Sequence, residues 1–199
     1  MFLKTMNKVI LASSNQGKLA ELSSYLKPLQ MELVLQPKEY DVEETGSTFI
    51  ENAILKARFA SKMSGLPSIA DDSGLVVDIL NGEPGVKTAR YAGVGAKSAE
   101  NMEKLLNQLE SFPNVEDRHA QFVCVLVYMR HHLDPLPVIA SGVWSGSIAH
   151  EKKGDNGFGY DPVFYGRGMS QTAAEISLEM KAQFSHRSMA CKNLVKKLS

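Results

Sequence analysis

The chain is 199 residues long, 44% apolar and 22% charged, with 22 basic residues balanced by 22 acidic ones. That composition supports a sizeable core and excludes the disordered and fibrous classes. A formal net charge of zero gives no long-range field for nucleic acid or an acidic membrane, so any polyanion site must be a local cluster of Lys and Arg. Two cysteines, Cys124 and Cys191, are too few for a disulfide framework and read as reduced, small core residues. Met1–Met6 is too short for a signal peptide, and no apolar run reaches the ~18 residues of a membrane span. The cytoplasm is the expected location.

In chain order, Lys8–Ala12 reads as a short buried strand. A polar turn at Asn15-Gln16-Gly17 leads into a helix marked by Leu19, Leu22 and Leu26. A second strand is expected over Met31–Leu35, then an acidic loop from Glu39 to Gly46. Thr48 and Glu51 form a capping box that starts a helix running to about Lys62. Ile69 to Val77 reads as strand, tight turn at Asp71–Gly74, and strand. Gly82–Gly85 is a loop. Ser98 is a candidate N-cap for a helix with Met102, Leu105, Leu106 and Leu109 on one face. Ala120–Met129 and Val138–Ser145 are long strands and candidates for antiparallel pairing. Gly154–Pro162 is a glycine-rich loop, and Ser185–Leu198 a helix burying Met189, Leu194 and Leu198. The mixture indicates an α/β fold with a mixed sheet.

Five segments carry chemistry. Ser13-Ser14-Asn15-Gln16-Gly17-Lys18 lies between the first strand and the first helix, where free backbone N–H groups and a lysine suit an anion. It departs from a Walker A loop at position 13 and after the lysine. Glu43-Glu44 precedes the capped helix, which carries Lys56. Asp71 and Asp72 are adjacent in an extended segment, so their side chains point to opposite sides; strand-end carboxylates suit Mg²⁺. Gly157-Phe158-Gly159-Tyr160-Asp161-Pro162 combines close backbone approach with rings that can stack on a base and a carboxylate that can accept from its edge. Lys181 with Ser185-His186-Arg187 gathers donors near the start of the last helix. Alone, each of these also fits an ordinary turn, a solvated loop or a capped helix start. His131-His132-x-Asp134 matches no usual zinc spacing, and Trp144 reads as packing in the core or at an interface.

Taken in order, these segments resemble the inosine/xanthosine triphosphate pyrophosphatase family. The resembling residues are Ser13-x-Asn15-x-Gly17-Lys18, Glu43-Glu44-Thr45-Gly46, Glu51-Asn52-Ala53 with Lys56-Ala57, Ala70 to Leu75, Pro84-Gly85, Gly157 to Pro162, Ala174-Glu175 and Ser185-His186-Arg187. The resemblance implies one domain over residues 1–199. Its fold would be α/β, an elongated mixed sheet flanked by helices, with two lobes around a nucleotide-binding cleft. It implies a cytoplasmic homodimer with a purine nucleoside triphosphate substrate and a Mg²⁺ cofactor, acting apart from nucleic acid and membranes. The implied reaction converts dITP, ITP and XTP to the monophosphate and pyrophosphate, clearing deaminated purines from the nucleotide pool.

By the same resemblance, Ser13 to Lys18, with Ser14, Gln16 and Gly17, would bind the triphosphate, and Lys56 would add a phosphate contact. Glu44 and Asp72 would hold Mg²⁺. Asp72 would be the general base, with Asp71 a supporting carboxylate and Ser73 a substrate contact. Phe158 would stack on the base beside Gly159 and Tyr160, Asp161 would help bind the nucleoside, and Lys181, His186 and Arg187 would read the base. Donors aimed at O6 suit hypoxanthine or xanthine and are left unpaired by adenine, a mismatch worth ~10⁴ in selectivity. The chain departs from the family pattern at Ser13, where Thr is common, at Asp155-Asn156, and at Ser188-Met189, where Gly-Lys is usual. Two other readings compete: a Maf-type pyrophosphatase on other nucleotides, and a non-catalytic nucleotide sensor. The Ser185-His186-Arg187 element argues against the first, and the metal-binding carboxylates against the second.

Overall fold

The structure, a computed structural model, describes residues 7–40 and 42–199. The expectation for Met1–Met6 lies outside the described residues. Six strands form one mixed sheet in the order β2-β1-β3-β4-β5-β6. They are β1 Asn7–Leu11, β2 Met31–Leu35, β3 Ser68–Val77, β4 His119–Met129, β5 Val138–Ile148 and β6 Phe164–Gly166. The helices are α1 Gln16–Leu26, α2 Phe49–Ser64, α3 Ser98–Gln108, α4 Leu178–Phe184 and α5 His186–Leu198. β1 pairs in parallel with β2 and with β3, whereas β5 and β6 are antiparallel. The expected mixed-sheet α/β architecture is therefore present.

The chain divides into two compact units. The first contains the N-terminal part through Asp72, Cys124–Gly142 and Arg187–Ser199. Its core joins Val9 and Leu11 of β1, Leu22 and Leu26 of α1, Ile69 of β3, Cys124 and Leu126 of β4, and Ala190, Cys191 and Leu194 of α5. The parallel β1-α1-β2 crossover sends the chain from the carboxyl end of β1 straight into the α1 N-terminus, the usual place for a ligand in an α/β unit. Both cysteines are buried, and neither is in a disulfide. Burial pushes the Cys191 thiol up to about 12, which keeps it protonated and inert.

The second unit holds Ser73–Val123 and Val143–His186. Its aromatic centre is Phe122, Trp144 and Phe164, with ring centroids 4.5 Å apart for Phe122–Phe164 and 5.2 Å for Trp144–Phe164. Trp144 is thus a core residue.

The structure departs from the sequence reading at several places, the short strand β6 among them. β3 runs unbroken through Asp71–Gly74, because both aspartates find cationic partners and need no turn. Lys97, not Ser98, is the N-cap of α3, and its backbone N–H donates to Glu100 Oε2 at 2.6 Å. On α5 the fully buried positions are Ser188, Ala190, Cys191 and Leu194, while Met189 and Leu198 are half-buried. The short helix α4, capped by the Ser177 hydroxyl accepting from Met180 N, was not expected from the sequence.

Candidate active site

The first cluster lies in the first unit, at the end of β1. Asn15 caps α1: its Oδ1 accepts from Lys18 N at 3.1 Å, and Ser13 Oγ accepts from Asn15 N at 3.1 Å. Ser14, Asn15, Gln16 and Gly17 are exposed, and Ser13 and Lys18 half-buried. The segment is a solvent-facing helix start with a lysine, as an anion site requires. The Lys18 ammonium turns inward and donates to Asp71 Oδ1 at 2.7 Å.

Asp71 and Asp72 alternate across β3 and meet different partners. Asp71 also accepts from Arg187 Nε at 3.0 Å and from the Cys124 thiol at 3.4 Å. Burial alone would raise its carboxyl, but Lys18 and Arg187 more than offset this and hold it well below the usual carboxylate range. Asp72 pairs with Lys56 of α2, whose Nζ also donates to Glu44 Oε1 at 2.9 Å. Here burial wins: it pushes the Asp72 carboxyl up, Lys56 opposes, and Glu44 and Asp71 add to the rise. Burial would lower the Lys56 ammonium, yet the two carboxylates hold it above its usual value.

Glu44 is fixed by the cap of α2. Thr48 and Glu51 form the expected capping box, and Glu51 Oε2 also accepts from Ser47 N at 2.9 Å. Asn52 Oδ1 accepts from Gly46 N at 2.8 Å, and a Cβ at Gly46 would come within 2.6 Å of Asn52 Oδ1 and of Glu51 Cβ. The loop carrying Glu44 is therefore wedged onto the start of the helix that carries Lys56. Glu43 is exposed.

A second cluster lies in the second unit. Asp161 Oδ2 accepts from Phe158 N at 2.8 Å and pairs with Lys181 Nζ. That ammonium sits 5.1 Å from the centroid of the Phe158 ring. Asp161 is buried while Phe158 is 64% exposed, so a hidden carboxylate props up an exposed aromatic ring. Gly157 has φ +78°, and a Cβ there would overlap Asp161 Oδ2, so only glycine fits. Tyr160 is buried and donates to Thr88 O at 3.0 Å; it supports the loop from beneath rather than offering a ring. Gly159 also has positive φ. Ser73 is half-buried in β3. The buried His186 ring stacks on Phe122 with centroids 5.0 Å apart.

Arg187, in the first unit, is 3% exposed and donates from NH1 to Glu21 Oε2 at 3.0 Å as well as from Nε to Asp71. Glu21 was not singled out in the sequence, although its spacing three residues beyond Lys18 puts both on one helix face. Asp134 is absorbed by its own turn, accepting from Arg130 Nε at 2.8 Å and from Leu136 N at 3.1 Å. Among the described residues, no group of three or more His, Cys, Asp or Glu side chains gathers as a metal site, and no helix is long and apolar enough to cross a membrane.

Exposed backbone donors with lysine and paired carboxylates on a parallel α/β framework form the polar equipment of proteins that handle phosphate anions. The chain belongs to the Ham1 family, whose profile it matches over residues 9–197. It is 51% identical over 192 residues to a dITP/XTP pyrophosphatase of Salmonella typhi, covering 96% of this chain and 97% of the relative. It is 53% identical over 189 residues to a dITP/XTP pyrophosphatase of Yersinia pseudotuberculosis, covering 94% and 95% of the two chains. Among solved structures, a HAM1 protein from Coxiella burnetii superposes with a TM-score of 0.90 at 48% identity, covering 97% of this chain and 98% of its own. The Ham1 protein of Staphylococcus aureus gives a TM-score of 0.87 at 44% identity, covering 96% and 98%.

Proposed function

We propose that this protein hydrolyses nonstandard purine nucleoside triphosphates, dITP, ITP and XTP, to the monophosphate and pyrophosphate. The observation that carries the reading is the Lys56 ammonium held between Glu44 and Asp72, next along β3 to the Asp71 that holds Lys18 of the α1 start. Relatives at about half identity over nearly the whole chain bear the matching name.

In this reading Ser13 to Lys18 and Lys56 take the triphosphate. Lysines and backbone donors offset its roughly four negative charges. Glu44 and Asp72 are two hard oxygen donors already brought to one cation, Lys56 Nζ. They fit Mg²⁺, which is bound by one or two carboxylates with water and substrate phosphates completing its shell. When bound, the ion would polarise the phosphoryl oxygens. Asp72 takes the proton of the attacking water: its raised pKa makes it a better base than an exposed carboxylate, and Lys56 keeps it ionised until then. Asp71 stays charged and holds Lys18 and Arg187. Ser73 touches the substrate beside them.

For the base, Phe158 supplies the stacking face, with Gly159 and Tyr160 shaping its loop. Lys181 and His186 supply donors for O6, and Asp161 fixes Phe158 and Lys181 for that task. Arg187 serves the same element by anchoring the start of α5. The enzyme is further proposed to be a cytoplasmic homodimer acting on free nucleotides.

The test is pyrophosphate release with Mg²⁺ from dITP, XTP, dGTP and dATP in parallel, with the Asp72→Asn variant beside the wild type. Turnover of dITP and XTP at least ~100-fold faster than of dGTP and dATP is expected from the polar mismatch at the base edge. Asp72→Asn should lose ~10³-fold or more in kcat while nucleotide binding survives. Equal turnover of all four nucleotides would overturn the base assignment, and an unchanged variant the base-catalysis assignment.

A further inference from the structure

The Phe158 ring and the Lys181 ammonium stand on two different segments of the second unit. Phe158 belongs to the loop 154–161, and Lys181 to α4. The two segments meet at Asp161, which accepts from Phe158 N and pairs with Lys181. They are also joined at the root of the loop, Lys153. The Lys153 N–H donates to Pro162 O at 2.8 Å, which closes the loop on itself. The Lys153 carbonyl accepts from the Thr172 hydroxyl at 2.7 Å.

Thr172 is completely buried and is itself fixed. It bridges to Tyr165 of β6, Ala173 N donates to Phe164 O at 2.8 Å, and Thr172 N donates to Glu175 Oε2 at 2.7 Å. The same seam continues toward α4: Asn156 N donates to Ala174 O at 3.0 Å. Gly154, at φ +80°, lies so close that a Cβ would come within 2.5 Å of Ala174 C and O. Ser177, five positions after Thr172, then caps α4. The Ala174-Glu175 of the family pattern thus lies between the loop that bears the ring and the helix that bears the lysine. An ion pair such as Asp161–Lys181 tolerates a range of separations. A buried hydroxyl on a carbonyl does not, because parting them leaves both groups unsatisfied.

We propose that Thr172 is a specificity-determining positioning residue: its hydroxyl fastens the root of the Phe158 loop to the segment leading into α4, and so fixes the spacing between the stacking ring and the Lys181 donor. The proposal rests on the reading of Phe158 and Lys181 as contacts to the base. Without that hydroxyl the loop and α4 part, and the donor no longer meets O6 of a base stacked on the ring.

The experiment compares wild type, Thr172→Val, Thr172→Ser, Gly154→Ala, Phe158→Ala and the double variant Thr172→Val/Phe158→Ala. It measures kcat and KM for dITP and dATP, the melting temperature, and, by calorimetry, the affinities for dIMP and for inorganic triphosphate with Mg²⁺. Thr172→Val keeps the shape but not the donor. It should raise KM for dITP and weaken dIMP binding by ~10-fold, with kcat within ~2-fold. The kcat/KM ratio of dITP over dATP should fall by a similar factor, since adenine has no O6 contact to lose. Triphosphate affinity should hold within ~2-fold, because the phosphate ligands of the proposed function belong to the first unit. Thr172→Ser, which keeps the hydroxyl, should recover most of the loss. In the Phe158→Ala background Thr172→Val should cost less than ~2-fold, because the spacing has lost one of its walls.

A lower melting temperature with KM, dIMP affinity and selectivity unchanged would make Thr172 a structural brace only and overturn the proposal. So would a matching loss of triphosphate affinity, which marks general loosening, or a Thr172→Ser variant as impaired as Thr172→Val. If Thr172→Val fails to fold, Gly154→Ala, at an exposed position, carries the same comparison, because its Cβ forces the loop off Ala174. If wild type binds dIMP but releases no pyrophosphate from dITP, the functional reading falls, and the dIMP affinities still decide the role of Thr172. A wild type that neither binds dIMP nor turns over dITP overturns both.

Discussion

Asp71 and Asp72 are adjacent, both buried, and driven in opposite directions. Burial raises both carboxyls; what differs is the company. Strand alternation gives Asp71 two cations, Lys18 and Arg187, whereas Asp72 shares the single ammonium of Lys56 with Glu44. Two identical residues are thereby shifted to opposite sides of the ordinary carboxylate value. Gly157 shows the same economy at a single atom, since its missing Cβ is the space that Asp161 Oδ2 fills. Gly157→Ala must expel that carboxylate or strain a residue at φ +78°. It should cost ~1–3 kcal/mol, read as a shift in the urea midpoint. It should also raise KM for dITP more than it lowers kcat, because Phe158 N and Lys181 both lose their shared acceptor. An unchanged midpoint would mean that the loop gives way without cost.

At the scale of elements, what is local in sequence is also legible in sequence. Thr48 and Glu51 mark the start of α2 because a capping box is satisfied within four residues. β6 is three residues long and exists through its register with Gly146–Ile148 of β5, so no local pattern marks it. The seven-residue α4 is too short for a periodic signal. Asp-Asp-Ser-Gly has the local chemistry of a turn, and partners from α1, α2 and α5 override it. The β4–β5 connection is a turn that does keep its aspartate. Hydrogen bonds from the Arg130 side chain hold the Asp134 carboxyl well below its ordinary value of 3.8, against the opposing effect of burial, with help from Arg130 N and Leu136 N. A carboxyl lowered in the folded state adds stability above the unfolded value and loses it as the pH falls further. Asp134→Asn should therefore melt below wild type at pH 7, keep that gap down to about pH 4, and close it on further acidification. A gap that persists unchanged at pH 2 would assign the loss to the amide's geometry and not to the charge.

At the scale of the whole molecule, most of the candidate site residues could be picked from the sequence, but their partners could not. Arg187 and Asp71 are 116 residues apart, and nothing near either predicts that the guanidinium lies against that carboxylate instead of in solvent. Glu21 offers only its spacing from Lys18, and nothing near it in sequence points to Arg187. The overall charge balance, in contrast, is read from composition alone and bears directly on function. With 22 basic and 22 acidic residues, the molecule presents no net field to an approaching polyanion. In the proposed function, attraction for a triphosphate would come from within a few ångströms of Lys18 and Lys56, whose side chains are 30% and 15% exposed. At ~0.15 M salt the screening length is ~8 Å, longer than those contacts, so screening should weaken binding only slightly. Raising the ionic strength from about 0.01 to 0.3 M, with free Mg²⁺ held constant, should raise KM for dITP by ~2–5-fold and leave kcat unchanged. A fall in kcat/KM of ~100-fold or more would reveal long-range steering that the balanced composition does not supply.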